Sequence, residues 1–129
     1  MDRQTKEWLR FATNDYELSM VAATQNKLEN GCYLLQQSAE KYLKSIEVYL
    51  NLGISKTHLL SRLCKSIESA GITVPVEVME ASFILESYAT TARYPGYDIN
   101  LDDMSKCIAS HAAIKSYVEK YFSDKTPKI

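Results

Sequence analysis

The sequence predicts an all-α fold, an antiparallel up-and-down bundle of four long helices plus one short helix. Four glycines and three prolines divide the 129 residues into about five segments that contain no helix breaker. Within these segments apolar residues return at spacings of three and four, which is the period of an amphipathic helix. Strict alternation of apolar and polar residues is absent, so strands are not expected. Short connections between such helices favour antiparallel neighbours.

Composition indicates a single cytoplasmic domain, with residues 1–124 forming the bundle and residues 125–129 a frayed tail. Apolar residues make up 46% of the chain, and 15 basic residues against 16 acidic ones give a formal charge of -1. No overall field therefore attracts nucleic acid or a membrane, and phosphate binding would need a local cluster. No apolar run approaches the roughly 18 residues of a membrane span, and the charged N-terminus is not a signal peptide. Cys32, Cys64 and Cys107 lack C-x-x-C spacing and are expected to be buried thiols.

The first two helices are predicted at about residues 3–25 and 32–51. Trp8, Phe11 and Ala12 lie on the apolar stripe of the first helix, and Asp15 falls on the same stripe. A carboxylate there needs a partner, because an unpaired buried charge is costly. The second helix has a clean apolar face opposite a polar one that includes Lys44.

The third and fourth helices are predicted to begin near His58 and at Pro75. The fourth is apolar on two sides, one through Val76 and Phe83 and the other through residues 78, 81, 85, 88 and 92. In so short a chain we expect one side to face the core and the other a second copy. The predicted homodimer interface consists of Val78, Leu85 and Tyr88.

The fifth helix is predicted to begin after Asn100. Its expected core stripe includes Leu101, Met104 and Ile108. His111 lies on this stripe, which favours a core histidine over a ligand. With only His58 besides it, and with no H-E-x-x-H or phosphate-binding loop, the sequence predicts no metal, cofactor or catalytic group.

The segment "TTARYPGYDIN" at residues 90–100 is the strongest candidate site outside the helices. Arg93 has a planar fork that suits phosphate, while Tyr94 and Tyr97 could stack on a base or line a protein interface. The alternative is a rigid turn in which Arg93 forms an ion pair with Asp15. The lysines of the second helix are the other candidate partners of Asp15.

Four segments in order resemble the HEPN family of small helical domains. "WLRFATNDYELS" at 8–19 resembles the family's W-x-x-x-A-x-x-D-L start, and "QQSAEKYLKSIEVYLNLG" at 36–53 resembles its Q-x-A-E-K-x-x-K run and glycine. "KTHLLSRL" at 56–63 is similar to its H-x-L-x-x-L motif, and "TARYPGYD" at 91–98 to its R-Y-P turn. The resemblance covers nearly the whole chain.

The resemblance implies a helical bundle that often dimerises, frequently encoded beside a minimal nucleotidyltransferase, with some members acting as RNases. The residues that match the family's binding motifs are Lys41, Lys44, His58, Arg93 and Tyr94. The RNase branch has a histidine four to six residues beyond the motif arginine, and positions 98, 99 and 100 of this chain hold Asp, Ile and Asn. We therefore expect no nuclease activity.

Three functional hypotheses follow from the residues together with what this resemblance implies. The first is a binding module for nucleotide or RNA phosphate, for a nucleotidyltransferase partner, or for both, in a two-component system of the toxin–antitoxin kind. The second is a purely structural dimeric subunit without a small ligand. The third is an RNase that uses a nonstandard acid–base pair.

Overall fold

The structure, a computed structural model, describes residues 1–92, 94–96 and 98–125, apart from the side chain of Thr90. Five helices follow in order, α1 Arg3–Thr24, α2 Leu28–Tyr49, α3 Leu60–Ser69, α4 Val76–Thr91 and α5 Leu101–Lys125. The described ranges contain no strand. The predicted all-α fold is confirmed, and residues 126–129 of the predicted tail lie outside the described residues.

Helix α2 is the centre of the bundle and packs against the other four helices. It begins at Leu28, four residues earlier than predicted, so Gly31 lies inside the helix instead of ending the segment before it. A β-carbon at Gly31 would lie 2.8 Å from Cε of Met104 on α5. Glycine here allows close approach of two helices. Reading glycines only as markers of helix ends does not reveal this packing role.

Polar side chains fix the starts of α1 and α5. The Asp2 carboxylate accepts the backbone N–H of Thr5 at 2.7 Å. Before α5, Asn100 Oδ1 accepts the N–H of Asp103 at 2.9 Å, and the Asp103 carboxylate accepts the N–H of Asn100 at 3.0 Å. Both arrangements satisfy amides that a helix start leaves without partners, which explains why the predicted starts are correct.

The predicted dimer interface on α4 is wrong. Val78 and Leu85 are buried in the core of the single chain, and half-buried Tyr88 packs against that core and donates to Asp103 at 2.8 Å. The other apolar face of α4 is the outer one, with Val76 68% and Phe83 52% exposed. Two apolar stripes were correctly recognised, but the assignment of core and surface was reversed.

Three further stripe assignments differ from the structure. Phe11 on α1 and both Leu101 and Ile108 on α5 were expected in the core and are exposed. Ala12, one position from Phe11, is fully buried. The buried positions of α1 are small side chains such as Ala12, Ser19 and Ala22, which allow close packing against α2.

The expectation that His111 is a core histidine is confirmed. Its Nε2 lies 2.8 Å from the Ser38 hydroxyl, which itself donates to the Ala12 carbonyl at 2.7 Å. The ring stacks on Tyr16 with centroids 4.9 Å apart. Burial, assisted by the nearby Lys115 ammonium, lowers the pKa of His111 to about 4. The imidazole is therefore neutral at physiological pH.

The three cysteines are free and buried, as expected. Within the described part of the chain, no helix combines the length and apolar character that a membrane crossing requires.

Candidate functional site

A buried ion cluster lies on the side of α2 that carries Lys44 and was predicted to be the polar one. Lys44 Nζ donates to Glu40 at 2.9 Å, and the two side chains are only 7% and 6% exposed. His58 Nδ1, from the connection before α3, lies 3.2 Å from both carboxylate oxygens of Glu40. Glu40 thus joins a buried lysine to a histidine whose side chain is 73% exposed. Such a cluster costs desolvation energy and requires complete pairing.

Two further side chains of α2, which sequence analysis did not select, hold the connection between α2 and α3. Buried Gln36 donates to the backbone carbonyl of His58 at 3.0 Å. Fully buried Glu47 accepts both the N–H and the hydroxyl of Ser55. Their spacing gives no signal of burial, because the chain that covers them comes from another part of the sequence. Together they fix the position of His58 relative to Glu40.

Asp15 is paired with a lysine of α2, which was one of the two alternatives left open. The Lys41 ammonium donates to the Asp15 carboxylate, and both side chains are partly exposed. The other alternative, a pair between Asp15 and Arg93, falls on a residue outside the described part of the chain, as does the predicted contact of Tyr97. The observed pair joins the two helices at the surface, beside the buried cluster.

An apolar cleft of about 460 Å³ opens next to Lys41. It is lined by Gln4, Glu7, Trp8 and Phe11 from α1 and by Lys41 from α2. Trp8 also approaches the buried cluster, since Lys44 Nζ lies 6.0 Å from the centroid of its ring. The cleft therefore combines two aromatic side chains with one ammonium group at its edge, and its size is within the usual range of small-molecule sites.

Charges around the cleft are closely balanced. Arg10 donates to Glu7 at 2.7 Å, and this contact holds the pKa of the Glu7 carboxyl below its ordinary value. Lys41 has Asp15 as its partner. An ammonium has three N–H donors, so the pair with Asp15 leaves Lys41 able to donate to a second acceptor. The arrangement can hold an anionic group beside an apolar, aromatic surface.

The predicted site residues do not all come together. Lys41 and His58 are accessible, while Lys44 is buried in its pair with Glu40, the carboxylate that also contacts His58. Tyr94 lies beyond α4, where its side chain is exposed and its backbone N–H donates to Thr91. Among the described contacts, none joins Tyr94 to the cluster on α2.

In the described residues, no group of three or more His, Cys, Asp and Glu side chains could hold a metal ion.

The buried pair of Ser38 and His111 has the residue types of a nucleophile and its base. Both side chains are inaccessible, and the Ser38 hydroxyl is already donated to the backbone. This pair is part of the core and does not form an exposed reactive centre.

Solved structures with the same fold support this architecture. ST0689, described as an archaeal HEPN homologue, is 24% identical, with a TM-score of 0.73 over 94% of this chain and 98% of its own. TT1696 from Thermus thermophilus is 19% identical, with a TM-score of 0.78 over 92% of this chain and 98% of its own. At these identities the likeness establishes the fold alone.

A comparison with curated proteins gives no significant match. The family model of the HEPN domain matches residues 5–121, which span α1 to nearly the end of α5. The match includes the buried Glu40–Lys44 pair, His58 and the segment around Tyr94. The chain belongs to the HEPN domain family.

Proposed function

We propose that this HEPN domain is a cytoplasmic, non-catalytic binding module that recognises a phosphate-bearing ligand, either a nucleotide or a segment of RNA. The observation that carries the proposal is the position of Lys41, an accessible ammonium at the edge of an aromatic cleft and beside the Glu40–Lys44–His58 cluster. Ligand sites commonly place a few polar groups in a mostly apolar cleft. Glu40 of the buried cluster holds His58, and Asp15 holds Lys41, before a ligand arrives.

Binding is favoured over RNA cleavage by the arrangement of the titratable groups. Cleavage by general acid–base chemistry needs two such groups that can reach the same phosphodiester. His58 uses Nδ1 to contact Glu40, whose carboxylate is buried and shared with Lys44. His111 is buried in the core. The absence of histidine at positions 98–100 supports the same conclusion.

Titration calorimetry with ATP, GTP and a short single-stranded RNA tests the ligand proposal. We expect heat of binding with at least one of them, and affinity about tenfold weaker for Lys41→Gln, the typical effect of losing a charge-assisted hydrogen bond. Lys120→Gln on the exposed face of α5 is the matched control and should bind as the wild type does. Equal binding by the two variants would refute the role of Lys41.

A structural subunit without a small ligand is the second candidate function. It is favoured by the pairing of the described cations around the cleft, where Lys41, Lys44 and Arg10 each have an acidic partner. A site with balanced charge attracts anions only weakly at long range. Absence of heat with all three ligands at millimolar concentration would favour this candidate, with a partner such as a minimal nucleotidyltransferase as the binding target.

Self-association is part of both candidate functions, and we propose that the outer face of α4 is the homodimer interface. Val76, Phe83 and Ile84 are exposed there, and leaving a large apolar side chain in water forgoes about 1.5–3 kcal/mol. Two antiparallel copies of α4 related by a two-fold axis would place Phe83 against Ile84 of the second copy. The small side chains of Ser87 and Thr91 would permit close approach of the helices.

Sedimentation equilibrium of Phe83→Asp tests this interface. We expect a wild-type dimer and a folded Phe83→Asp monomer of about 14.6 kDa, the mass of one chain. Leu18→Asp is the control, since Leu18 is as exposed as Phe83 but lies on α1. A wild-type monomer, or a dimer broken by Leu18→Asp and not by Phe83→Asp, would contradict the proposed interface.

A further inference from the structure

Trp8 occupies a position that the proposed phosphate recognition does not use. It is the single tryptophan of the chain, and it is only half-buried although it is a large apolar residue. Its ring lies between the cleft that it lines and the buried Lys44, whose ammonium is 6.0 Å from the ring centroid. The indole is thus held on one side by the ion cluster and borders the open cleft.

The second aromatic side chain of the cleft has a comparable arrangement. Phe11 follows Trp8 by three positions, so the two side chains are neighbours on one face of α1. Phe11 is 46% exposed, and the Arg10 guanidinium lies 4.6 Å from its ring centroid. Two adjacent rings, each approached by a cation, leave an accessible apolar surface between α1 and Lys41 that is suited to a flat aromatic group.

We infer that the cleft binds a nucleotide by stacking its base on Trp8 while Lys41 holds its phosphate. This inference rests on the proposed function and assigns the two chemical parts of the ligand to two side chains. The base supplies a π-face to the indole, which is a sequence-tolerant interaction. The phosphate accepts from the Lys41 donors that Asp15 leaves unused. A free mononucleotide and an exposed nucleotide of an RNA strand present the same chemistry.

The charge pattern favours one phosphate over several. Glu7 lines the same cleft as Lys41, and Asp15 remains beside the ammonium. Each additional phosphate would bring more negative charge near these carboxylates, and like charges repel. We therefore expect a nucleoside monophosphate, or one nucleotide of a strand, to bind more tightly than the corresponding triphosphate.

Tryptophan fluorescence tests the inference directly, because Trp8 is the single tryptophan of the chain and lines the cleft. The probes are AMP, adenosine, ribose 5-phosphate, ATP and a short oligoadenylate, with excitation at the red edge of the indole band, where adenine does not absorb. AMP should quench the emission saturably and bind more tightly than adenosine, ribose 5-phosphate or ATP. Comparison of AMP with the oligoadenylate separates a free nucleotide from a nucleotide within RNA.

Two variants distinguish a ligand contact from a structural effect. Lys41→Gln should weaken AMP binding about tenfold and leave adenosine binding unchanged, since only AMP has a phosphate. Asp15→Asn breaks the same ion pair but keeps the ammonium, so it should bind AMP at least as tightly as the wild type. Equal loss of AMP affinity in both variants would show that only the α1–α2 ion pair matters, and would overturn the inference.

Failure of this inference can be separated from failure of the proposed function. Unchanged Trp8 emission at millimolar AMP and oligoadenylate, with calorimetric RNA binding retained, would refute base stacking in this cleft alone. Unchanged emission together with no calorimetric binding would refute both.

Discussion

Acidification toward pH 5 should destabilise this protein through the buried imidazole of His111. The imidazole is buried between α1, α2 and α5, where it contacts the Ser38 hydroxyl and stacks on Tyr16. Lys115 is the nearby cation, and it approaches the ring of Tyr16. Protonation would place a second positive charge beside Lys115 in a poorly hydrated site. The unfolded chain has no such penalty, so it binds this proton more readily than the folded protein does.

The direction and size of the effect follow from two pKa values. The pKa of His111 is about 4 in the folded protein and 6.5 when unperturbed. Because the folded value is the lower one, stability is complete above pH 6.5 and falls as pH decreases toward 4. The full loss corresponds to about 3 kcal/mol, of which about 2 kcal/mol is already lost at pH 5. The free energy of unfolding of an ordinary domain is only about 5–15 kcal/mol in total.

Urea unfolding at pH 7 and pH 5, monitored by circular dichroism, measures this loss. The matched variant is His111→Gln, whose amide can still donate to Ser38 but does not titrate. His58, the other histidine of the chain, is present in both proteins, so its contribution cancels in the comparison. We expect the wild type to lose about 2 kcal/mol more than His111→Gln between the two pH values.

Equal pH dependence of the two proteins would refute this explanation. It would mean that His111 is as easily protonated in the folded state as in the unfolded chain, so that burial does not lower its pKa. A larger loss in His111→Gln would contradict the sign of the linkage.

Two other predictions concern stability and can be checked by the same urea experiments. Glu40→Ala removes the partner of buried Lys44 and should destabilise the domain by about 3 kcal/mol. Its control, Glu119→Ala, removes one member of an exposed ion pair and should cost under about 1 kcal/mol. Similar losses in both variants would contradict the importance of burial. Asp103→Ala removes the acceptor of the Asn100 N–H and of the Tyr88 hydroxyl at the start of α5, so it should lower the free energy of unfolding more than the neighbouring Asp102→Ala does. The opposite order would contradict the observed cap.

The number and limits of the helices could be predicted because local signals determine them. Proline and glycine separate α3, α4 and α5, and the reciprocal bonds of Asn100 and Asp103 fix a start that the sequence suggests. Gly31 shows the limit of such signals. Its small size serves contact with Met104, which lies far along the chain, and no local pattern distinguishes this role from a helix end.

Burial could be predicted only where one side of a helix was plainly apolar. On α4 the periodicity gave two stripes, and packing against α3 and α5 decided that Leu85 faces inward and Phe83 outward. On α2 the spacing of Glu40 and Lys44 is that of a surface ion pair. The connection carrying His58 contacts Glu40, and Trp8 of α1 approaches Lys44. The period of α2 alone contains no information about these two segments.

The candidate site was predicted in part for the same reason. The family motif selected Lys41 and His58, which the fold places on the accessible side of α2. Trp8 was assigned to the core stripe, and its position beside a cleft depends on how α1 lies against α2. A large aromatic residue at the edge of an apolar stripe, next to a charged residue, is the signal that could have indicated the cleft.

Binding of RNA without cleavage is the most direct test of the central claim. End-labelled single-stranded RNA should show saturable fluorescence anisotropy with the wild-type protein, and electrophoresis of the same samples should recover the RNA at full length. Lys41→Gln should shift the saturation to higher protein concentration by about tenfold. Cleaved RNA would contradict the assignment of a non-catalytic role, and a flat anisotropy curve would contradict recognition of RNA phosphate.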